Sequence, residues 1–353
     1  MNLDSILTKA REGKRLSIDE GTLLFNADLV TLGAIAESRK AVHHKEPIVT
    51  FVIDRNITFT NVCVCQCDFC AFYVSPQSRK AFLLNEDEIL KSVKELVDMG
   101  GTQVMLQGGL NPEVDLEYYL SILKKIKESF PVHIHSFSVA EIVYLSKKEG
   151  ISAEEVLKKM QEAGLDSLPG AAEILVDRVR KKVSPNKTST SEWIEVMKSA
   201  HALNMHTTAT MTFGMVETTR ERMQHLECIR NLQDETGGFK AFIPWTFSPR
   251  NTKLSSLKAA GGVDYLMMLA ISRIYLDNFP HIHTGWVTEG EKLAQIGLMF
   301  GANDMGGILM DEVVVKATGI NNSMTVDKIV HLIQSAGMIP AQRNSKYEII
   351  RYF

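Results

Sequence analysis

The chain has 353 residues, 45% hydrophobic and 23% charged, with a net charge of −3, an ordinary globular composition with room for two average domains or one large α/β barrel. The weak negative charge supplies no basic field for nucleic acid, and no apolar run approaches the ~20 residues that cross a bilayer. The start, Met1-Asn-Leu-Asp-Ser-Ile-Leu, lacks the basic-then-apolar pattern of a signal peptide, so the five cysteines are expected as reduced thiols in the cytoplasm.

Residues 1–50 read as an N-terminal helical extension. Leu16-Ser-Ile-Asp-Glu20 resembles a capped helix start, and Leu29 to Val42 carries apolar residues at helical intervals. A charged linker, His43-His-Lys-Glu-Pro47, leads into an extended run from Ile48 to Ile53. Strand and helix patterns then alternate. Apolar or β-branched runs fall at 57–62, 102–107, 132–137, 171–176, 207–213, 239–245, 282–287 and 307–310. Between them Ser152 and Glu155, Ser189 and Glu192, and Thr218 and Glu221 have capping-box spacing. Eight strands alternating with helices predict a parallel sheet, most simply a (β/α)8 TIM-type barrel over residues 51–310, with an open doubly wound sheet as the alternative. Residues 311–353, where Ile329, Leu332, Ile333 and Ala336 share a stripe, read as a C-terminal helical cap.

Four of the five cysteines lie in Asn61-Val-Cys-Val-Cys-Gln-Cys-Asp-Phe-Cys70. Read as Cys63-x3-Cys67-x2-Cys70, they place three thiolates on one short loop, suited to iron–sulfur iron or zinc. A [4Fe–4S] cube held by three sulfurs keeps one iron open to a small molecule, whereas a simple electron carrier uses four. Zinc would need Cys65 as its fourth ligand, yet alternate residues of an extended segment point to opposite faces.

That cysteine pattern resembles the signature of the radical S-adenosylmethionine (SAM) superfamily. Asn56-Ile-Thr-Phe-Thr-Asn-Val-Cys63, Cys70-Ala-Phe-Tyr73, Met105-Leu-Gln-Gly-Gly-Leu-Asn-Pro112 and His135-Ser-Phe-Ser138 narrow the likeness to its futalosine and deazaflavin branch. Thr236 to Phe247, Asn251-Thr252 and Phe300-Gly-Ala-Asn-Asp-Met-Gly-Gly307 are similar to its futalosine-cyclising members, from about residue 15 onward. Three departures stand out: Cys65 is an extra thiol, Val74 stands where the branch usually has Arg, and Pro169-Gly-Ala-Ala-Glu173 is one residue short of its glycine run.

The resemblance implies a [4Fe–4S] cluster on Cys63, Cys67 and Cys70 whose open iron chelates SAM. It also implies a 5′-deoxyadenosyl radical that takes the ribose C4′ hydrogen of dehypoxanthine futalosine. The carbon radical then adds to the benzoate ring, and loss of an electron and a proton restores aromaticity. A small nucleoside is thus the expected substrate, and a donor such as flavodoxin or ferredoxin the expected partner, with no nucleic acid or membrane insertion. Sister aminofutalosine or deazaflavin synthases, and a bare iron–sulfur carrier, remain alternatives.

Around SAM, Phe69 is expected to pack on the adenine, Gln107, Gly108 and Gly109 to offer backbone after the second strand, and Glu173 and Arg178 to hold the polar ends. Phe69 equally suits ordinary core packing, and Arg178 a solvated face with Arg180, Lys181 and Lys182. For the substrate, Ser138, Trp245, Trp286, Asn303 and Arg343 are the candidates, and Asp304 or His135 the proton acceptor. Asn303-Asp304 is expected at the barrel mouth, although an Asx-type turn asks for the same residues. His133 with His135, and His281 with His283, point the same way along their strands but have no adjacent third ligand.

Overall fold

The computed structural model describes residues 2–353. Helices α1 (Leu3–Arg11), α2 (Ile18–Leu23) and α3 (Leu29–His43) precede β1 (Ile48–Val52) and β2 (Asp54–Thr58). There follow α4 (Glu86–Asp98), β3 (Gln103–Gln107), α5 (Leu116–Ser129), β4 (His133–Ile134), α6 (Val139–Glu149), α7 (Ala153–Ala163), α8 (Asp177–Val183) and α9 (Thr190–Ala202). The second half runs β5 (Thr207–Phe213), α10 (Thr219–Thr236), β6 (Phe239–Thr246), α11 (Gly262–Tyr275), β7 (His281–Ile282), α12 (Glu291–Gly297), β8 (Asp304–Gly307), α13 (Val326–Ser335), β9 (Ile339–Arg343) and β10 (Ile349–Tyr352). The three capping boxes form as spaced, each Ser or Thr accepting from the N3 amide while the N3 Glu accepts from the cap's backbone.

β1 and β2, separated only by Ile53, act as one long strand. Its first half lies between β8 and β9, with Thr50 opposite Asp304 and Ile48 to Phe51 opposite Ile339 to Gln342. Its second half pairs in parallel with β3, which pairs with β4. Parallel bridges His135–Ser167 and His283–Asp304, a hydrogen bond from the Thr208 amide to the Leu168 carbonyl, and the Arg55–Met310 bridge join these strands to the β5–β6–β7 sheet and close the ring. Along β5 the closed barrel sorts residues by period two: Ala209, Met211 and Phe213 enter the hydrophobic core, while Thr208, Thr210 and Thr212 take the other face. The N-terminal helices join that core, α2 packing on α10 and α3 on α11.

Two expected elements differ. Residues 171–176 form no strand: Ala171 and Glu173 adopt φ of +41° and +49°, and the buried Arg180 guanidinium donates to the Ala172 carbonyl at 2.6 Å. An apolar run is therefore turned by a cation it contains no hint of. Residues 311–353 are also not a helical cap. Only α13 and one 3-10 turn are helical there, and β9 completes the lower half of the first strand, covered by antiparallel β10.

Candidate active site

The cysteine loop leaves the C-terminal end of β2 and is pinned from three sides. The Cys63 amide donates to Val74, that of Val64 to Leu110, and that of Asp68 to Val183. Gly109 is where the second strand's turn meets the loop: a Cβ there would stand 2.2 Å from the Val62 carbonyl oxygen and 2.7 Å from Cys63 Cβ. The Gly108-Gly109 pair thus serves close packing against the loop. Glu141 holds the same turn, accepting from the Gly108 amide at 3.2 Å, and its burial raises the carboxyl pKa to about 8.

Cys65 lies between Cys63 and Cys67. Its hydrogen bond lowers the Cys63 thiol to about 6 and also lowers Cys67, while Cys65 itself is pushed up and Cys70 is raised by burial. Cys65 Sγ also lies 3.2 Å from the Asn186 carbonyl. Cys65 thus bonds the thiols on either side of it, and Cys63, Cys67 and Cys70 are the three that could hold a cluster. Among the described residues no three His, Cys, Asp or Glu side chains converge on a single-ion point; a cube anchors its sulfurs at separate corners.

Beside Cys67, the buried Glu173 Oε2 has no hydrogen-bond partner, its nearest cation being Arg180 Nη1 at 3.7 Å, while Lys187 Nζ holds Oε1 at 2.6 Å. Burial opposes the Lys187 charge, yet Glu173 and Cys67 keep its pKa above the ordinary lysine value. Lys187 also stands 5.7 Å over the Phe69 ring. An unspent carboxylate oxygen and an aromatic face beside three thiols fit the amino group and base of a SAM molecule.

Arg178, in contrast, is half exposed and bridges Glu221 and the Val216 carbonyl away from this corner. The helical-face alternative holds for it but not for Arg180, which is buried. Lys187, which sequence reasoning missed, sits in the exposed-looking run Ser184 to Thr190; only the fold brings it to Glu173.

Several expected substrate contacts are already committed. Ser138 caps α6 and bonds Glu141. Trp286 is 3% exposed and donates to the Gly307 carbonyl at 2.8 Å. Asn303 accepts from Arg273 at 2.7 Å and from the Ile282 amide at 3.0 Å, and donates to His281 at 2.9 Å. Asp304 is fully buried, bound by Arg343 Nε at 2.5 Å, Thr50 Oγ1 at 2.5 Å and His283 at 3.2 Å. Burial works against its charge, but Arg343 and His283 hold it well below the usual carboxylate range. Asp304 begins β8 opposite Thr50, eight residues below Thr58, and so lies toward the end of the barrel opposite the cysteine loop.

The polar inner face of the barrel carries other groups. Trp245 is half-buried and its indole N–H donates to Thr212 Oγ1. His135 Nδ1 is 2.6 Å from Ser167 Oγ and Nε2 is 3.5 Å from Thr208, and burial lowers its pKa to about 3, so it is neutral. Gln107 bonds Asn56 at 3.1 Å, and the buried Thr58 hydroxyl has no partner. The alternating polar positions of Asn56-Ile-Thr58 and Thr208-Ala-Thr-Met-Thr212 were the available signal for this face.

A profile of the radical SAM superfamily matches residues 57–229, and one described as the CofH/MqnC C-terminal region matches residues 236–352. The cyclic dehypoxanthine futalosine synthase of Halalkalibacterium halodurans is 44% identical over 356 aligned residues, covering 100% of this chain and 96% of its own length. The chain belongs to the radical SAM superfamily. Radical SAM enzymes use a [4Fe–4S] cluster and SAM, which the cysteine loop and its surroundings fit. The Streptomyces coelicolor protein of the same name is 42% identical over 98% of this chain and 88% of its own length. A relative from Archaeoglobus fulgidus, named 5-amino-6-(D-ribitylamino)uracil–L-tyrosine 4-hydroxyphenyl transferase, is 43% identical over 86% and 89%. Among solved structures, methylornithine synthase superposes with a TM-score of 0.77 at 18% identity, covering 95% and 97% of the two chains, and so shares the barrel fold. No helix among the described residues is long and apolar enough to cross a membrane.

Proposed function

We propose that this radical SAM enzyme cyclises dehypoxanthine futalosine, joining the ribose C4′ carbon to the substrate's own benzoate ring. The observation that carries the proposal is whole-chain similarity to the two bacterial relatives named for that cyclic product. When bound, the cluster and SAM supply one-electron chemistry able to remove hydrogen from an unactivated carbon. Cys63, Cys67 and Cys70 hold the cluster, Glu173 Oε2 receives the SAM ammonium, Phe69 flanks the adenine, and the Gln107–Gly109 turn borders the methionyl end. The Trp245 face offers a stacking surface to the benzoate ring, and the unspent Thr58 hydroxyl a hydrogen bond to the nucleoside. Of the two proton acceptors suggested by sequence, His135 fits better, because Asp304 is locked to Arg343. A proton whose loss restores an aromatic ring needs only a weak base, which a neutral, buried imidazole provides.

A second reading comes from the archaeal relatives, whose name describes transfer of a hydroxyphenyl group from tyrosine to a ribitylaminouracil. Anaerobic incubation with dithionite, SAM and either substrate set decides between them by product mass. Cyclised futalosine product supports the proposal; coupling of tyrosine to the uracil, with the nucleoside untouched, overturns it.

A further inference from the structure

His133 opens β4 and His135 follows two residues on, so both side chains take the same face. Between them stands the buried Ser167, bridged to His135. Its Oγ lies 2.6 Å from His135 Nδ1 and 2.8 Å from His133 Nε2. A hydroxyl donates one proton and accepts another, so this oxygen can receive the Nδ1 proton of one ring while giving its own to the Nε2 of the next. The chain runs outward from there. His135 is 9% exposed, the His133 side chain 21%, and His133 Nδ1 lies 3.9 Å from Asp166 Oδ2, whose side chain is 31% exposed. Lys127 Nζ at 2.5 Å and the Ile134 amide at 2.7 Å hold that carboxylate in place. At the inner end His135 Nε2 has only a 3.5 Å approach to Thr208 Oγ1, which already accepts from the Gly170 amide. Burial, with His133, Arg343 and His283 beside it, holds His135 at about 3, whereas His133, facing Asp166 as well as Lys127 and Lys346, is held at about 4. The inner ring is thus the poorer resting place for a proton.

We propose that Ser167 and His133 form a proton relay that carries the substrate's ring proton from His135 to water at the start of β4. The inference rests on the cyclisation reading and on His135 as the proton acceptor. In the step concerned an aryl C–H bond breaks, its electron pair stays with the ring, and the proton goes to His135 Nε2. The odd electron of the adduct goes to an iron–sulfur cluster in its oxidised state. His135 Nδ1 then gives its proton to Ser167 Oγ as that hydroxyl gives its own to His133 Nε2, and water takes the proton of His133 Nδ1. Both rings end neutral, and no charge is left in the buried interior. Ser167 and His133 act through His135 and are positioning residues.

The test uses the reconstituted enzyme with dithionite, SAM and dehypoxanthine futalosine, and follows one turnover. Formation of 5′-deoxyadenosine precedes proton loss and serves as the internal reference. Ser167→Ala should slow cyclised product about tenfold relative to that reference, a modest share of what acid–base catalysis contributes. It should also lose the slowing in D2O that wild type shows, because the relay protons are the exchangeable ones. Ser167→Thr keeps the hydroxyl and should restore both. If the threonine variant does not retain its cluster, His133→Ala is read instead, and added imidazole should recover its product rate. Nitrogen-15 NMR of the oxidised enzyme should find His135 protonated at Nδ1, and Ser167→Ala should let it populate the Nε2-protonated form. Product at the wild-type rate in Ser167→Ala overturns the relay, as does a slowed rate whose D2O dependence is unchanged. Should wild-type enzyme yield no cyclised product, the cyclisation reading fails and the NMR alone judges the relay: Nδ1 protonation of His135 upholds it, and Nε2 protonation overturns it.

Discussion

Replacing Asp304 with Asn separates a structural from a catalytic role for this residue. The side chains of Asp304 and Arg343 are 0% and 4% exposed, and their contacts run at 2.5 and 3.1 Å, with Thr50 and His283 completing the carboxylate's shell. Asn keeps the shape but removes the charge, stranding a buried guanidinium at a cost of about 3–5 kcal/mol. Unfolding entropy of roughly 2 cal/mol/K per residue gives this chain about 0.7 kcal/mol/K, so the Tm should fall by about 4–7 °C. The double change Asp304→Leu with Arg343→Met removes both charges and should recover most of that loss. Thermal unfolding under anaerobic conditions measures the first quantity, and mass analysis of 5′-deoxyadenosine and cyclised product the second. An unshifted Tm, with SAM cleavage intact and cyclised product abolished, would refute the structural account and restore Asp304 as proton acceptor.

Cys67→Ala should lose the brown chromophore and all SAM cleavage, whereas Cys65→Ala should retain the 400 nm band; a colourless Cys65 variant would make it a ligand. Gly109→Ala places a methyl 2.2 Å from the Val62 carbonyl and should impair cluster loading, measured as iron per chain, while leaving far-ultraviolet dichroism unchanged. Glu173→Gln should raise KM for SAM about ten- to a hundredfold with cluster content unaltered, in line with loss of a charged hydrogen bond of roughly 1.5–3 kcal/mol; an unchanged KM would remove Glu173 from the SAM site. Stability should peak near neutrality. Burial holds His133, His135, His201, His225, His281 and His283 at about 4 or below. The unfolded chain therefore takes up protons first as pH drops below about 6.5, and each group removes up to about 1.4 kcal/mol per unit. Asp54 and Glu141, raised by burial to about 7 and 8, act oppositely: the folded state binds their protons, so stability declines as pH rises toward 8. Urea midpoints from pH 5 to 8 test this, and a steady rise through pH 8 would contradict the two buried acids.

The cysteine loop, the capping boxes and the alternation of strands and helices were legible because each is a local pattern with a local cause. The register of β8 was not: a glycine-flanked Asn303-Asp304 looks alike at either end of a strand, and only pairing with Thr50 sets its height. The run Ala171 to Val176 has the composition of a strand, but Arg180, six residues beyond Ile174, turns it. Arg178 and Arg180 are equivalent by composition, and which becomes buried depends on the packing of α8 beneath the loop. Sequence spacing singled out the cysteine loop; the Glu173–Lys187 pair beside it comes together only through the fold.

The first barrel strand finds one of its two lower neighbours 291 residues later, Ile48 to Phe51 pairing with Ile339 to Gln342. A ribosome must therefore add the whole barrel that lies between before that edge is covered, and until then a nascent chain carries an open, apolar Ile48–Val52 ribbon. Such distant pairing is slow to form. Production of this protein should consequently reward low temperature and chaperone supply, and truncation within the final hairpin should yield aggregates rather than a smaller barrel.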